Sequence, residues 1–184
     1  MGGNDSQAAG FDPQVFTLFA AWASADTSTA QGRRRAAIAR GEQLFATRTF
    51  TIRGVAGLPD QRGTCSTCHD TPNVGSHSRA LALDLGVSDA SRRPSGLPLY
   101  TLTSRSTGAV RRTTDPGLAL STGKWADIGR FKVPALRGLA ARPPYFHNGL
   151  TDDLGDVVRF YRRRFDVRLS DRDEDDLVAF LSVL

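Results

Sequence analysis

The sequence predicts an all-α fold carrying long irregular loops and one small β-hairpin, and three observations carry that expectation. Apolar residues recur at helical spacing in four separate segments; Gly and Pro punctuate the chain from Phe50 to Gly63 and from Pro72 to Pro98; and one pair of short β-prone runs flanks a turn sequence. The chain has 184 residues, of which 40% are apolar and 23% charged. It contains no run of 18 apolar positions, which excludes a helical membrane span, and it is long enough to bury a core without disulfide staples.

The first helical segment opens at Phe11 with Asp12-Pro13 as N-cap and N1 and carries Val15, Phe16, Leu18, Phe19 and Trp22. Asp26 to Gly32, rich in Ser, Thr and Ala, reads as a linker, so residues 1–32 form a tail, a short helix and a linker before the main domain at 33–184. A helix from Arg33 to Thr47 places Ala37, Ile38, Gly41, Leu44 and Phe45 on one face, where Gly41 lets another helix backbone approach closely. Leu99–Thr103 and Ala109–Thr113 make the hairpin around Ser-Arg-Ser-Thr-Gly. The stretch from Lys124 to Pro144 is irregular. A helix from Thr151 to Arg164 carries Leu154, Val157, Val158 and Tyr161 on one face. A last helix, Ser170 to Leu184, starts with a capping-box-like Ser170-Asp171-Arg172-Asp173.

The 24 basic residues outnumber 19 acids for a formal +5, and all but Lys124 and Lys132 are Arg. Without a basic-aromatic stripe or a nucleic-acid motif, this excess favours acidic protein partners rather than nucleic acid. The residues from Met1 to Asp5 offer no basic n-region or apolar h-region of a signal peptide.

Cys65 and Cys68 are too close together to staple a useful loop. They stand in Cys65-Ser66-Thr67-Cys68-His69, a C-x-x-C-H pattern for covalent c-type haem attachment. Two thiols three residues apart on one helical turn reach the two vinyl groups of a porphyrin edge, and the adjoining His swings under the iron as proximal ligand. A thioredoxin-like dithiol needs a βαβ setting that is not predicted here. A zinc site would recruit Cys65, Cys68, His77 and His147. Thioether bonds to haem are made outside the bacterial cytoplasmic membrane, so the expected compartment is the periplasm, with the leader trimmed.

Four segments together resemble the C-terminal haem domain of bacterial dihaem cytochrome c peroxidases and their MauG-like relatives. They are Gly41-Glu42-Gln43-Leu44-Phe45, the Cys65–His69 motif, the run from Gly129 to Leu139 containing Arg130-Phe131-Lys132-Val133-Pro134-Ala135-Leu136-Arg137, and Pro144-Tyr145-Phe146-His147-Asn148-Gly149. The likeness runs over residues 33 to 184 and implies a cytochrome c-like haem domain. Dihaem members carry two C-x-x-C-H motifs, whereas this chain has one. The resemblance therefore implies either a mono-haem relative or one half of a machine that works with a second haem domain.

The resemblance also bears on the distal iron ligand. The peroxidases use a Met fourteen residues beyond the His of P-Y-F-H-[DN]-G, and here that position is Tyr161, while the only Met is Met1. MauG-like proteins use Tyr, so the resemblance implies Tyr161 as ligand beside His69; the alternative is a core aromatic with a hydrogen-bonded hydroxyl. His147 is placed at the haem edge, with a ligand role as the alternative, and His77 on the proximal side. Trp125, Phe131, Tyr145 and Phe146 are expected to wall the porphyrin, and Arg130, Lys132 and Arg137 to pair with propionates. Arg159, Arg162, Arg163 and Arg164 read as a solvated helix face or as a dock for an acidic redox partner.

The expectation is a c-type cytochrome that moves single electrons through one covalent haem. The competing expectation is a peroxidase or MauG-like oxidase acting with a second haem domain or subunit. The third is a zinc-stabilised domain.

Overall fold

The long N-terminal helix starts at Ala30, three residues before the predicted Arg33, because the Thr29 Oγ1 accepts from the Gly32 amide at 3.0 Å and fills the N-cap. The structure, a computed structural model, describes residues 18–69, 74 and 81–184. Its elements run α1 (Ala30–Thr47), β1 (Phe50–Ile52), β2 (Gln61–Gly63), α2 (Ser66–His69), β3 (Ala82–Leu83), β4 (Tyr100–Thr103), β5 (Val110–Thr113), α3 (Ala119–Thr122), β6 (Phe131–Lys132), α4 (Leu154–Phe165) and α5 (Asp171–Leu181). Short 3₁₀ turns lie at Ala20–Ser24, Ala90–Arg92, Trp125–Asp127 and Leu139–Ala141.

The all-α expectation is corrected to a mixed α and β fold, since three two-stranded antiparallel sheets stand beside the helices. The hairpin β4–β5 falls where the sequence places it, pairing Tyr100 with Thr113 and Thr103 with Val110. The other two sheets lie in segments read as irregular. β1 and β2 pair Phe50 with Gly63 and Ile52 with Gln61 around Gly54 and Gly57, which take φ of +60° and +97°. β3 pairs with β6 through Ala82 to Lys132 and Leu83 to Phe131. Strands of two or three residues are shorter than any periodicity window, and their pairing is decided by tertiary packing.

The helix expected from Phe11 begins outside the described residues. Its described part is the 3₁₀ turn Ala20–Ser24, which Asp26 follows with a side-chain acceptor for the Ser28 amide at 2.9 Å. Phe19 nonetheless reaches the core: its amide donates to Glu42 at 3.0 Å and its ring meets Phe180 edge-on at 6.1 Å.

α1 and α5 cross at Gly41. A Cβ there would stand 1.9 Å from the Asp176 carbonyl oxygen and 2.7 Å from the Phe180 Cβ, so only glycine permits this approach. Beside the crossing, Arg40 grips the buried Asp176 with Nε and Nη2 both at 2.7 Å, which gives both carboxylate oxygens a charged partner. α5 begins at the predicted Ser170, whose side chain accepts from the Asp173 amide while Asp173 accepts from the Ser170 amide. α4 is capped by Asp153 and ends at Asp166 in the left-handed conformation, which a short polar side chain tolerates.

Two hydrophobic clusters result. One joins α1, α4 and α5 through Ile38, Phe45, Val158, Leu177, Phe180 and Leu181; the other gathers Ile52, Val55, Leu83, Val133, Phe165 and Val167 from the small sheets and the end of α4. Among the described residues no helix is long and apolar enough to cross a membrane. Gly41→Ala forces α1 away from α5 and is expected to cost about 2 kcal/mol in denaturant unfolding, the scale of overpacking in a tight core; an unchanged midpoint would contradict the crossing.

Candidate functional site

The Cys65–His69 segment is one helical turn because its ends are satisfied locally. The Thr64 amide donates to Thr67 Oγ1 at 2.9 Å, and the His69 amide donates to the Cys65 carbonyl at 3.0 Å. Gly63, just ahead of it, lies so close to Thr67 Oγ1 and Ile52 Cδ1 that a Cβ would meet them at 2.5 and 2.8 Å. The turn is thus pressed against β1. It separates its thiols between the two cores, Cys65 packing on the first cluster and Cys68 on the second, and no disulfide joins them.

An apolar cavity opens between the clusters. Cys65, Cys68 and His69 line it, α4 contributes Val157, Val158, Tyr161 and Phe165, and Leu136, Tyr145 and Phe146 come from the loops. The sequence reading missed a further part of the lining, Ile52, Val55, Leu83 and Leu85, which come from β1, β3 and their flanks. Only the isolated apolar residues in these Gly- and Pro-broken stretches hint at that role.

Burial decides the charge state of the polar groups here. It pushes the His69 imidazole down to about 4, partly opposed by the Pro134 carbonyl, which lies close enough to the ring to favour a proton. His69 is therefore neutral at pH 7. Its Nδ1 is buried without a hydrogen-bond partner of ordinary geometry among the described residues, and Phe45 stands 6.1 Å from the ring. Burial likewise pushes the Cys65 thiol up to about 12, so it stays protonated. The Tyr161 phenol is also shifted up, first by burial and then by Cys68 and Cys65, which places it near both cysteines. Its ring sits among Phe160 at 5.3 Å, Phe146 at 6.3 Å and Phe165 at 6.4 Å.

His147 and Phe131 also line the cavity, at its rim: their rings stack at 4.3 Å, and His147 Nε2 is 3.4 Å from the Lys132 carbonyl. His147 is exposed. Lys132 joins the lining, whereas Arg130 and Arg137 do not. Arg137 is exposed, and Arg130 turns to Asp127 at 3.7 Å. Trp125 is not part of the cavity: the indole opens the Trp125–Asp127 turn with 37% of its surface exposed. His77 lies outside the described residues. Among the described residues no three His, Cys, Asp or Glu side chains gather as a metal-holding group, and His77 of the expected zinc set lies outside them.

The arginines of α4 are mostly engaged within the chain. Arg159 pairs with Asp156 at 2.7 Å, Arg162 with Glu174, and Arg164 donates to the carbonyls of Leu85, Arg53 and Gly54 at 3.1, 3.1 and 2.7 Å. These contacts leave Arg163 as the member of the cluster with no such partner among the described residues.

Comparison with known proteins finds relatives among haem peroxidases. Cytochrome-c peroxidase IdrP1 of Pseudomonas sp. (strain SCT) is 30% identical over 156 residues, 74% of this chain and 40% of that protein. Cytochrome-c peroxidase IdrP2 of Denitromonas iodatirespirans is 31% identical over 134 residues, 67% of this chain and 36% of that protein. Methylamine utilization protein MauG of Paracoccus denitrificans (strain Pd 1222) is 39% identical over 70 residues, 37% of this chain and 18% of that protein. The chain spans no more than about two fifths of the length of these relatives. No family model and no solved structure matches it.

The exposed stacking of His147 on Phe131 sets a limit on what that ring contributes to the fold. His147→Ala is expected to lower stability by no more than about 1 kcal/mol, the scale of one aromatic pair; a loss of several kcal/mol in chemical denaturation would mean that the ring is a core element.

Proposed function

The chain is a relative of the MauG-like and dihaem cytochrome c peroxidases, and from that kinship we propose that it is a c-type cytochrome domain holding one covalent haem and passing single electrons. The observation that carries this reading is the cavity itself: paired thiols and a neutral, buried imidazole open into one apolar space. A porphyrin needs apolar walls, two thiols for its vinyl groups and a neutral imidazole, and the residues present fit that group.

In this reading Cys65 and Cys68 bind the porphyrin edge and His69 offers its unprotonated nitrogen to the iron. Tyr161 would be the second side chain to hold the iron, supported by its place on the cavity beside the cysteines. When bound, the haem supplies one-electron redox chemistry at its iron. The chain's residues do the rest. Val157, Val158, Leu136 and Leu83 exclude water, which disfavours added charge and helps set the potential, while an anionic Tyr oxygen stabilises the oxidised form. Phe131, Tyr145, Phe146 and His147 line the space, and Lys132 at the rim offers a cation to a propionate. The electron partner is a protein of acidic surface, matched to the chain's net positive charge. The proposed covalent attachment implies maturation outside the cytoplasmic membrane, in the periplasm.

The names and lengths of the relatives favour one further reading. Those peroxidases are more than twice as long as the matched region, so peroxide or MauG-like oxidase chemistry would need a second haem domain or subunit beside this one. Turnover of hydrogen peroxide with an electron donor by the isolated chain would favour that enzyme reading over the carrier.

The ferric absorption spectrum of protein matured in a host that attaches haem c tests the proposal. A Soret band with a low-spin ferric spectrum that sharpens on reduction is expected, and no Soret band would end it. Tyr161→Phe is expected to change the charge-transfer region and raise the reduction potential; an unchanged spectrum would mean that Tyr161 only packs.

A further inference from the structure

The turn that brings Phe146 and His147 to the cavity is itself strained. Phe146 takes φ of +65°, a left-handed conformation that a bulky side chain adopts only when its surroundings impose it. Two features impose it. Tyr145 pairs with Thr151, its amide donating to the Thr151 carbonyl at 2.6 Å. The Asn148 side-chain amide donates to the carbonyl of Val87, itself a cavity-lining residue, at 3.2 Å and to Thr114 Oγ1 at 2.9 Å. Val87, Ser88 and Thr114 are all buried, and Thr114 Oγ1 spends its own proton on the Ser88 carbonyl at 3.3 Å. Asn148 therefore meets two acceptors, and only a group with two protons on one atom satisfies both.

We propose that Asn148 is a positioning residue of the cavity. Its amide ties the Tyr145–Gly149 turn to the Val87–Ser88 and Thr113–Thr114 backbone, and through that turn holds the Phe146 ring against Phe160 at 5.0 Å and Tyr161 at 6.3 Å and the His147 ring on Phe131. Asn148 does not line the cavity, so it acts on Tyr161 through its neighbours, Phe146 on the turn and Val87 at the cavity wall. The inference rests on the proposed haem site and assigns the control of its distal side to a side chain that touches neither cofactor nor ligand. Aspartate is the informative substitute, since it keeps the size of Asn148 and removes both donors. Its oxygens would face the Val87 carbonyl and the Thr114 lone pair, and the strained turn would relax.

The test uses the haem-loaded protein and compares Asn148→Asp, Thr114→Val and Thr114→Ser with the wild type. Asn148→Asp and Thr114→Val are expected to shift the ferric spin-state bands and the reduction potential in the same direction, at unchanged haem content. Thr114→Ser keeps the hydroxyl and is expected to match the wild type. Lower melting temperatures with wild-type spectra and potential would show a merely structural role and overturn the proposal. If the wild-type protein carries no haem, the haem reading fails by itself, and the tether is read from amide hydrogen exchange at Tyr145 and Gly149. Exchange about tenfold faster in Asn148→Asp is then expected, as for one or two lost hydrogen bonds, and an unchanged rate overturns the tether.

Discussion

A neutral imidazole and two thiols held at the seam between two hydrophobic clusters are the constraint on which the structure depends. Each cluster alone is an ordinary small core. The seam is different, because Cys65 belongs to one cluster and Cys68 to the other, so the single helical turn between them spans both and leaves an apolar space on its inner side. Apolar walls disfavour charge in that space, which pushes the His69 imidazole down and the Cys65 thiol and Tyr161 phenol up.

The rest of the fold positions that seam. The contact of α1 with α5 at Gly41 brings Phe45 and Phe180 together at 5.5 Å, and Phe45 in turn stands beside His69. A change at the crossing therefore reaches the site through two rings. On the other side, α4 sends its apolar face into the cavity while its arginines tie down the neighbouring loops. Arg164 is the clearest case: it holds the Arg53, Gly54 and Leu85 carbonyls, and so fastens the irregular segments that carry Val55 and Leu83. The small sheets are thus part of the cavity's construction, which is the physical content of the correction from an all-α to a mixed fold.

How much of this was legible in the sequence follows from how local each signal is. Covalent attachment imposes a fixed spacing, so Cys65, Cys68 and His69 could be read as a unit without any knowledge of the fold. Capping is equally local, which is why α5 begins at Ser170 as its box predicts. The face of α4 that carries Tyr161 was readable from helical spacing, although the α1 cap at Thr29 was hidden in a stretch that reads as a linker. Strand β3 and its partner β6 were not legible, because 48 residues separate Leu83 from Phe131 and two paired residues leave no pattern. Trp125 illustrates the opposite case: residue type in an irregular stretch points to the cavity, whereas the indole stands outside the lining and open to solvent. Residue type predicts burial in an irregular segment poorly when the backbone direction is unknown.

The central claim is that the seam holds a haem through both cysteines, and the mass of the acid-denatured protein tests it most directly. Denaturation strips away every non-covalent contact and leaves only bonded groups. Protein matured in a host that attaches haem c is predicted to keep the mass of exactly one haem, with neither Cys65 nor Cys68 open to alkylation. A mass equal to the polypeptide alone, with both thiols alkylated, would contradict the account.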